Sequence, residues 1–275
     1  MDASGDWWHG RILGNEDRQL GCTVYTSALG AGPAVPIVLD QRLLLLPTWG
    51  FLVPTVWGFN ARWLPVFLGL RALKARFMYV AVLFAWVASA IMLRVLAVVS
   101  TALLPVAAIS AIVALRVFEP SVKEGKLNGV HACSPFFVRG AYVWLLVAAA
   151  LSVAAALSDH EGGIWGASRH ALTVGFLATM VFSIGPKILP AFCGARLLFS
   201  KNLMFASLLL LNVGCALRVI SEVIAYEGYG RWAWPILPLS AIVELTAVTL
   251  FAANLAIAFL RPPEHVRLNC AIVNH

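Results

Sequence analysis

Long apolar runs alternate with short polar segments along most of this chain. An α-helix needs about 20 apolar residues to cross the hydrocarbon core of a bilayer. The runs predict seven such spans, at residues 43–60, 77–98, 100–118, 139–157, 169–187, 203–225 and 235–260. The predicted fold class is therefore all-α, a polytopic transmembrane helical bundle. Tryptophans near the span ends, Trp57 among them, are predicted to anchor the helices at the membrane–water interfaces.

The composition of the chain supports a membrane protein. Hydrophobic residues make up 61% and charged residues 12% of the 275 residues, against about 45–50% and about 25% in soluble domains. A water-soluble chain of this size cannot bury so much apolar surface and still cover itself with polar groups. The composition therefore argues against a soluble enzyme, a disordered chain and a nucleic-acid-binding domain.

The formal net charge of +7 has an uneven distribution along the chain. Positive residues concentrate in the segments after the first, third and fifth spans and in the C-terminal tail: Arg62, Arg71, Lys74, Arg76, Arg116, Lys123, Lys126, Arg139, Lys187, Arg196, Lys201, Arg261 and Arg267. Cytoplasmic loops are enriched in Lys and Arg. We therefore predict a multi-pass protein of a bacterial inner membrane, surrounded by lipid and without a nucleic-acid partner. Its N-terminus is predicted outside and its C-terminus in the cytoplasm.

The chain is also predicted to contain an internal repeat. Residues 45–71 align with residues 170–196, and both segments end in the pattern [RK]-x-L-P-x-F-x-G-x-R. An even number of spans separates the copies, so the copies are predicted to be parallel, with one extra helix joining them. Parallel repeats of this kind place functional sites near the repeat interface. The predicted division is a tail, a three-span unit, a loop with the connecting span, a second three-span unit and a tail, at residues 1–42, 43–119, 120–158, 159–260 and 261–275.

The second copy carries titratable residues that the first copy lacks. His170, Glu222 and Glu244 align with apolar residues of the first copy, whereas Arg94 and Arg218 occur in both. Charged residues inside a bilayer cost about 2.5–3.5 kcal/mol each on insertion scales and are functional candidates by default. Arg218 and Glu222 are spaced i,i+4, so they can also form a purely structural pair that neutralises itself.

Structural roles are open for the other two candidates as well. His170 can be a residue of a helix start that bonds to water or to the backbone. Glu244 can be protonated and bonded to a neighbouring hydroxyl, such as that of Thr246 or Thr249.

The same residues allow a haem-binding interpretation. A neutral imidazole on a membrane helix is a usual axial ligand of haem, and His170 provides one. Arg94 and Arg218 lie at the same predicted level and suit the two haem propionates through charge-assisted hydrogen bonds. In this interpretation Glu222 lies beside the haem, and Glu222 and Glu244 belong to a polar network that handles protons.

Two segments of the chain resemble the NnrS family. They are HALTVGFLATM, residues 170–180, and ALRVI, residues 216–220 in the next span. That family consists of integral membrane proteins that contain haem and copper and are associated with nitric oxide metabolism and denitrification. The resemblance implies haem held by His170, a role in nitric oxide response or respiratory redox chemistry, and other respiratory membrane subunits as partners. Copper is also implied, but the histidine-rich HxHE motif of the family has no match here, and family members are typically longer.

Two other functions are open. Parallel repeats with a mid-membrane Glu244 also fit a proton-coupled transporter of a small molecule, and the chain can be an assembly subunit without a site of its own. Whether the protein is an enzyme is left open. For the transporter, we predict that uptake fails in Glu244→Gln and survives in His170→Ala.

Overall fold

Seven long apolar helices make up most of the part of the chain that the structure describes. The structure is a computed structural model that describes residues 43–92, 97–125, 130–159, 162–192 and 199–260. In these ranges the chain forms helices and loops and contains no strand. The helices long enough to cross a membrane are α1 Leu43–Leu68, α2 Ala75–Met92, α3 Ala97–Leu115, α4 Ser134–Ser158, α5 Gly163–Pro186, α6 Lys201–Tyr226 and α7 Arg231–Leu260. The all-α, polytopic fold class with seven spans is confirmed; both predicted tails lie outside the described residues.

The helices α2 and α3 pack closely through alanine. Small side chains let helix backbones approach each other in a membrane, and the fully buried alanines of this pair are Ala81, Ala85, Ala88, Ala107, Ala108, Ala111 and Ala114. The hydroxyl of Ser100 on α3 donates a hydrogen bond of 2.7 Å to the carbonyl of Ala88 on α2. This close packing agrees with the sequence, in which a single residue separates the second predicted span from the third.

The first span is longer than the sequence predicts. The prediction ends it at residue 60, but the helix continues to Leu68 and stops at Gly69, whose φ of 65° is left-handed. Asn60 is buried, and its Nδ2 donates a hydrogen bond of 2.8 Å to the hydroxyl of Tyr142 on α4. Because a partner satisfies the amide inside the bundle, Asn60 does not mark a helix end. Trp57 consequently lies within the span and is fully buried, so the prediction that it anchors the helix at an interface is wrong.

The fifth helix begins earlier than predicted, at Gly163 instead of residue 169. The carboxylate of Asp159 accepts hydrogen bonds of 2.6 Å from the backbone N–H groups of Gly162 and Trp165. These N–H groups of the first helical turn have no partner within a helix. The acceptor supplied by Asp159 therefore allows the helix to start before the apolar run does.

Two of the spans contain π-helical stretches, Leu46–Leu52 in α1 and Ala171–Ala178 in α5. π-Helical stretches are rare in proteins, and those that occur often lie at functional sites. The two stretches fall at matching positions when residues 45–71 are aligned with residues 170–196. The repeat itself stays a prediction. The stretch in α5 begins directly after His170, the first of the candidate site residues.

The loop after α3 is fixed to the ends of α1 and α2. The carbonyl of Gly69 accepts hydrogen bonds from the N–H groups of Val122 and Lys123, at 2.9 and 3.2 Å. A carboxylate links the same loop to α2, because Glu119 binds Nη1 of Arg116 at 2.7 Å and Nζ of Lys74 at 3.3 Å. This contact closes the bundle on the side opposite His170.

A pH effect is expected at this loop. The hydrogen bond from Arg116 holds the pKa of Glu119 below its ordinary value of 4.5. A lowered folded-state pKa contributes stability that is complete above the unfolded-state pKa and is lost as the pH falls through the folded-state pKa. We expect Glu119→Gln to lower the melting temperature at neutral pH, and the difference from wild type to shrink at pH values below 4.5. A difference in melting temperature that is as large below pH 4.5 as at neutral pH would contradict this role of Glu119.

Candidate functional site

The central contact of the candidate site joins α5 to α7. Nε2 of His170 lies 3.0 Å from Oε1 and 3.1 Å from Oε2 of Glu244. The side chains are 26% and 16% exposed, so both are largely enclosed by neighbouring helices. A polar group in such surroundings is costly without a hydrogen-bond partner. Each of these residues provides that partner for the other.

Helix α6 holds the two residues in place. A Cβ added at Gly214 would lie 2.6 Å from Cγ of Glu244 and 3.3 Å from its backbone nitrogen. Only glycine therefore lets α7 approach closely enough for Glu244 to reach α5. The neighbouring Cys215 is buried, and its Sγ lies 3.9 Å from the carbonyl oxygen of His170. The geometry of the pair thus depends on all three helices.

A second pair lies one turn further along α6, towards its end at Tyr226. Nε of Arg218 donates to Oε2 of Glu222 at 3.2 Å, and the side chains are 29% and 12% exposed. Gly166 on α5 leaves the space that the carboxylate of Glu222 occupies. The predicted i,i+4 pairing of these two residues is therefore present in the structure.

The structure brings four of the five predicted site residues to one side of the bundle, as the pairs His170–Glu244 and Arg218–Glu222. Arg94 lies outside the described residues. The interpretation of Glu244 as bonded to a neighbouring hydroxyl is wrong. Thr246 and Thr249 instead donate to carbonyl oxygens one turn earlier in α7, each at 2.8 Å.

The sequence prediction missed a third polar cluster, which links α4, α6 and α5. Nε1 of Trp144 donates to Oδ1 of Asn212 at 3.0 Å. Nδ2 of Asn212 in turn lies 3.4 Å from Oγ1 of Thr179, which donates to the carbonyl of Val174 at 3.2 Å. The Trp144 ring packs onto Gly175, and a Cβ added at Gly175 would lie 2.5 Å from Cγ of Trp144. The signal that marks this cluster is Asn212, a lone amide within the apolar run of α6.

The groups that the haem hypothesis uses have partners within the protein. Nε2 of His170 faces the carboxylate of Glu244, so this nitrogen is not open to an axial metal. The guanidinium of Arg218 is paired with Glu222, and the Trp144 ring fills the space beside Gly175. The part of the chain that the structure describes contains no group of three or more His, Cys, Asp or Glu residues that could hold a metal ion.

The fold and these contacts define the class of protein, a multi-pass α-helical membrane protein with an imidazole–carboxylate pair between two of its spans. The chain belongs to the family described as a domain of unknown function, DUF8744, whose family model matches residues 44–259. This match covers nearly the whole helical bundle. Neither a curated protein nor a solved structure matches the chain.

Proposed function

We propose that this protein moves protons across the membrane and couples that movement to the transport of a small molecule. The proton-binding group is the His170–Glu244 pair. The observation that carries the proposal is the contact of 3.0 Å between Nε2 of His170 and the carboxylate of Glu244. Histidine is the side chain whose ordinary pKa places its charge change near neutral pH. Ionisable residues within membrane spans mark ion pathways and proton relays.

The charge of the pair explains why proton release requires coupling. With one shared proton, His170 and Glu244 together are neutral, whether Nε2 of His170 or the carboxylate of Glu244 holds that proton. Loss of that proton leaves one negative charge within the bundle, which is costly in surroundings of low dielectric. A bound cationic solute or a change that admits water stabilises that state. The second pair, Arg218–Glu222, is neutral as a whole and lies one turn nearer the end of α6 at Tyr226.

Further support comes from the π-helical stretches and from the predicted parallel repeat. Transporters place their sites where spanning helices are irregular, near the interface between repeats. The stretch Ala171–Ala178 begins at the residue after His170. With the orientation predicted from the loop charges, the Arg218–Glu222 pair faces the outside of a bacterial inner membrane.

Proton flux into vesicles tests the proposal. The full chain is reconstituted into liposomes that contain a pH-sensitive dye, and the external pH is lowered with the membrane potential clamped. The assay is run with and without a mixture of amino acids, carboxylates and sugars. We expect Glu244→Gln and His170→Ala each to slow acidification by about 10²-fold, a typical effect of removing a proton-transfer group. The sequence alone predicted that transport survives in His170→Ala. Since the two residues form one pair, we instead expect His170→Ala and Glu244→Gln to lose transport equally.

Glu119→Gln provides the matched control, because it changes a glutamate in the loop after α3. It is expected to leave proton flux at the wild-type rate. Wild-type flux in both Glu244→Gln and His170→Ala would overturn the proposal. That result would favour one of the other two functions, an assembly subunit without a site of its own or the haem function.

The haem function implied by the resemblance to the NnrS family is the second candidate. One observation favours it, since metal-bound histidines usually place their other ring nitrogen against a carboxylate. Nε2 of His170 lies against Glu244, which makes Nδ1 the atom that would bind the iron. The test is a reduced-minus-oxidised spectrum of protein purified from haem-replete cells. A Soret band that is lost in His170→Ala would support haem binding, with nitric oxide or respiratory redox chemistry as its use. A copper assay of the same sample tests the copper hypothesis.

A further inference from the structure

We infer that a path of polar groups along α5 carries the proton from the His170–Glu244 pair to the opposite side of the membrane. The inference rests on the proposed function, and it adds the route by which the proton leaves the pair. The path runs past the third polar cluster to a cavity between α1, α4 and α5.

The first part of the path is a polar stripe on α6. Asn212, Cys215, Arg218 and Glu222 follow one another at intervals of three, three and four residues, which places them on one face of a helix. The path uses Asn212 and Cys215, since Arg218 and Glu222 lie on the other side of the pair. The contacts show that this face lies against α5. Cys215 approaches the backbone of His170, Asn212 approaches Thr179, and Glu222 fits against a glycine of the same helix.

The second part of the path lies on α5 itself. Thr179 and Ser183 are separated by one helical turn, so they lie on the same face. Thr179 is fully buried, and its hydroxyl both receives the contact from Asn212 and donates to the carbonyl of Val174. That carbonyl belongs to the π-helical stretch. The hydroxyl of Thr179 therefore connects the polar stripe of α6 with the irregular backbone next to His170.

The path ends in a cavity on the far side of the bundle. Its lining includes Leu64, Phe67, Ser134, Val138, Ser183 and Ile184. Ser183 is 3% exposed, and its hydroxyl has no hydrogen-bond partner among the described residues. The hydroxyl of Ser134 donates to the backbone carbonyl of Ser183 at 3.4 Å. The other lining residues are apolar, so a water ordered in this cavity would be held by the two serines.

The groups between the pair and the cavity are neutral, and this limits what they can carry. The hydroxyls of Thr179, Ser183 and Ser134 both donate and accept, so they can relay a proton. Trp144 and Asn212 are uncharged as well, and they hold the hydroxyl of Thr179 in place. Such a chain can pass a proton through hydrogen bonds and ordered water, whereas a metal cation would require several oxygen ligands in one place. The path is therefore a proton path.

Substitutions that each remove one hydroxyl group test the path in the same dye-loaded liposomes. Thr179→Val and Ser183→Ala are each expected to slow acidification about tenfold, equal to ~1.4 kcal/mol in the barrier. Thr101→Val and Ser89→Ala are the matched controls, since they are equally buried and bond to the backbone of their own helices. Both controls are expected to retain the wild-type rate. Because the hydroxyl of Ser183 has no described partner, Ser183→Ala is expected to leave the melting temperature unchanged while slowing flux.

The outcomes separate the path from the function on which it rests. Wild-type flux in Thr179→Val and Ser183→Ala, together with loss of flux in Glu244→Gln, would overturn the path and leave the proposed function standing. Equal slowing in the path variants and in the controls would also overturn the path. Absence of any flux that depends on His170 and Glu244 would overturn both.

Discussion

Gly175→Ala is expected to destabilise the folded protein by about 1–3 kcal/mol, the usual effect of overpacking a tight contact. A Cβ at this position would lie 2.5 Å from Cγ and 2.8 Å from Cβ and Cδ2 of Trp144. The Trp144 ring cannot move without losing the hydrogen bond of its Nε1 to Asn212. The strain therefore separates α4 from α5, and thermal unfolding of the purified protein in detergent measures the effect.

Gly140→Ala is the matched control for this substitution. Gly140 also lies in a spanning helix, but a Cβ there would meet no atom within 4 Å. Alanine is favoured over glycine within a helix by about 0.8–1.0 kcal/mol, so Gly140→Ala is expected to keep or raise the melting temperature. A melting temperature of Gly175→Ala equal to that of Gly140→Ala would show that the Trp144 contact yields without strain.

Gly214→Ala is expected to abolish most proton flux without changing either member of the proton-binding pair. The new Cβ would lie 2.6 Å from Cγ of Glu244 and 3.4 Å from the carbonyl oxygen of Ser240, so α7 must shift away from α6. A displacement of ~1 Å at a reacting group typically costs about 10²-fold in rate. Acidification of dye-loaded liposomes measures this effect.

Gly58→Ala is the matched control for this substitution. Gly58 also lies in a spanning helix, but a Cβ there would meet no atom within 4 Å, so Gly58→Ala is expected to keep the wild-type flux. Circular dichroism of both purified variants separates loss of geometry from loss of folding. Full wild-type flux in Gly214→Ala would refute the requirement for close approach of α7.

The number and type of spanning helices were predictable from the sequence, because a run of apolar residues is a local property. Helix ends were less predictable, since they depend on partners elsewhere in the chain. Asn60 continues α1 because Tyr142 on α4 satisfies its amide, and Asp159 starts α5 early by accepting two backbone N–H groups. Neither contact is visible in a window of neighbouring residues.

The candidate site was predictable in its members but not in its pairing. Charge within apolar runs identified His170, Arg218, Glu222 and Glu244, and the helical spacing correctly joined Arg218 to Glu222. The contact of His170 with Glu244 joins residues in different helices, and no periodicity relates them. The cluster around Asn212 was missed for the opposite reason, because uncharged groups with satisfied hydrogen bonds barely interrupt an apolar run.

The π-helical stretch in α5 has a consequence for how the two halves of that helix are coupled. A π-helical turn holds its hydrogen bonds between residues five apart rather than four, so conversion of Ala171–Ala178 to α geometry would rotate everything that follows it. His170 precedes the stretch, and Thr179 and Ser183 follow it. Such a change of winding would therefore turn the hydroxyls of Thr179 and Ser183 relative to the proton-binding pair.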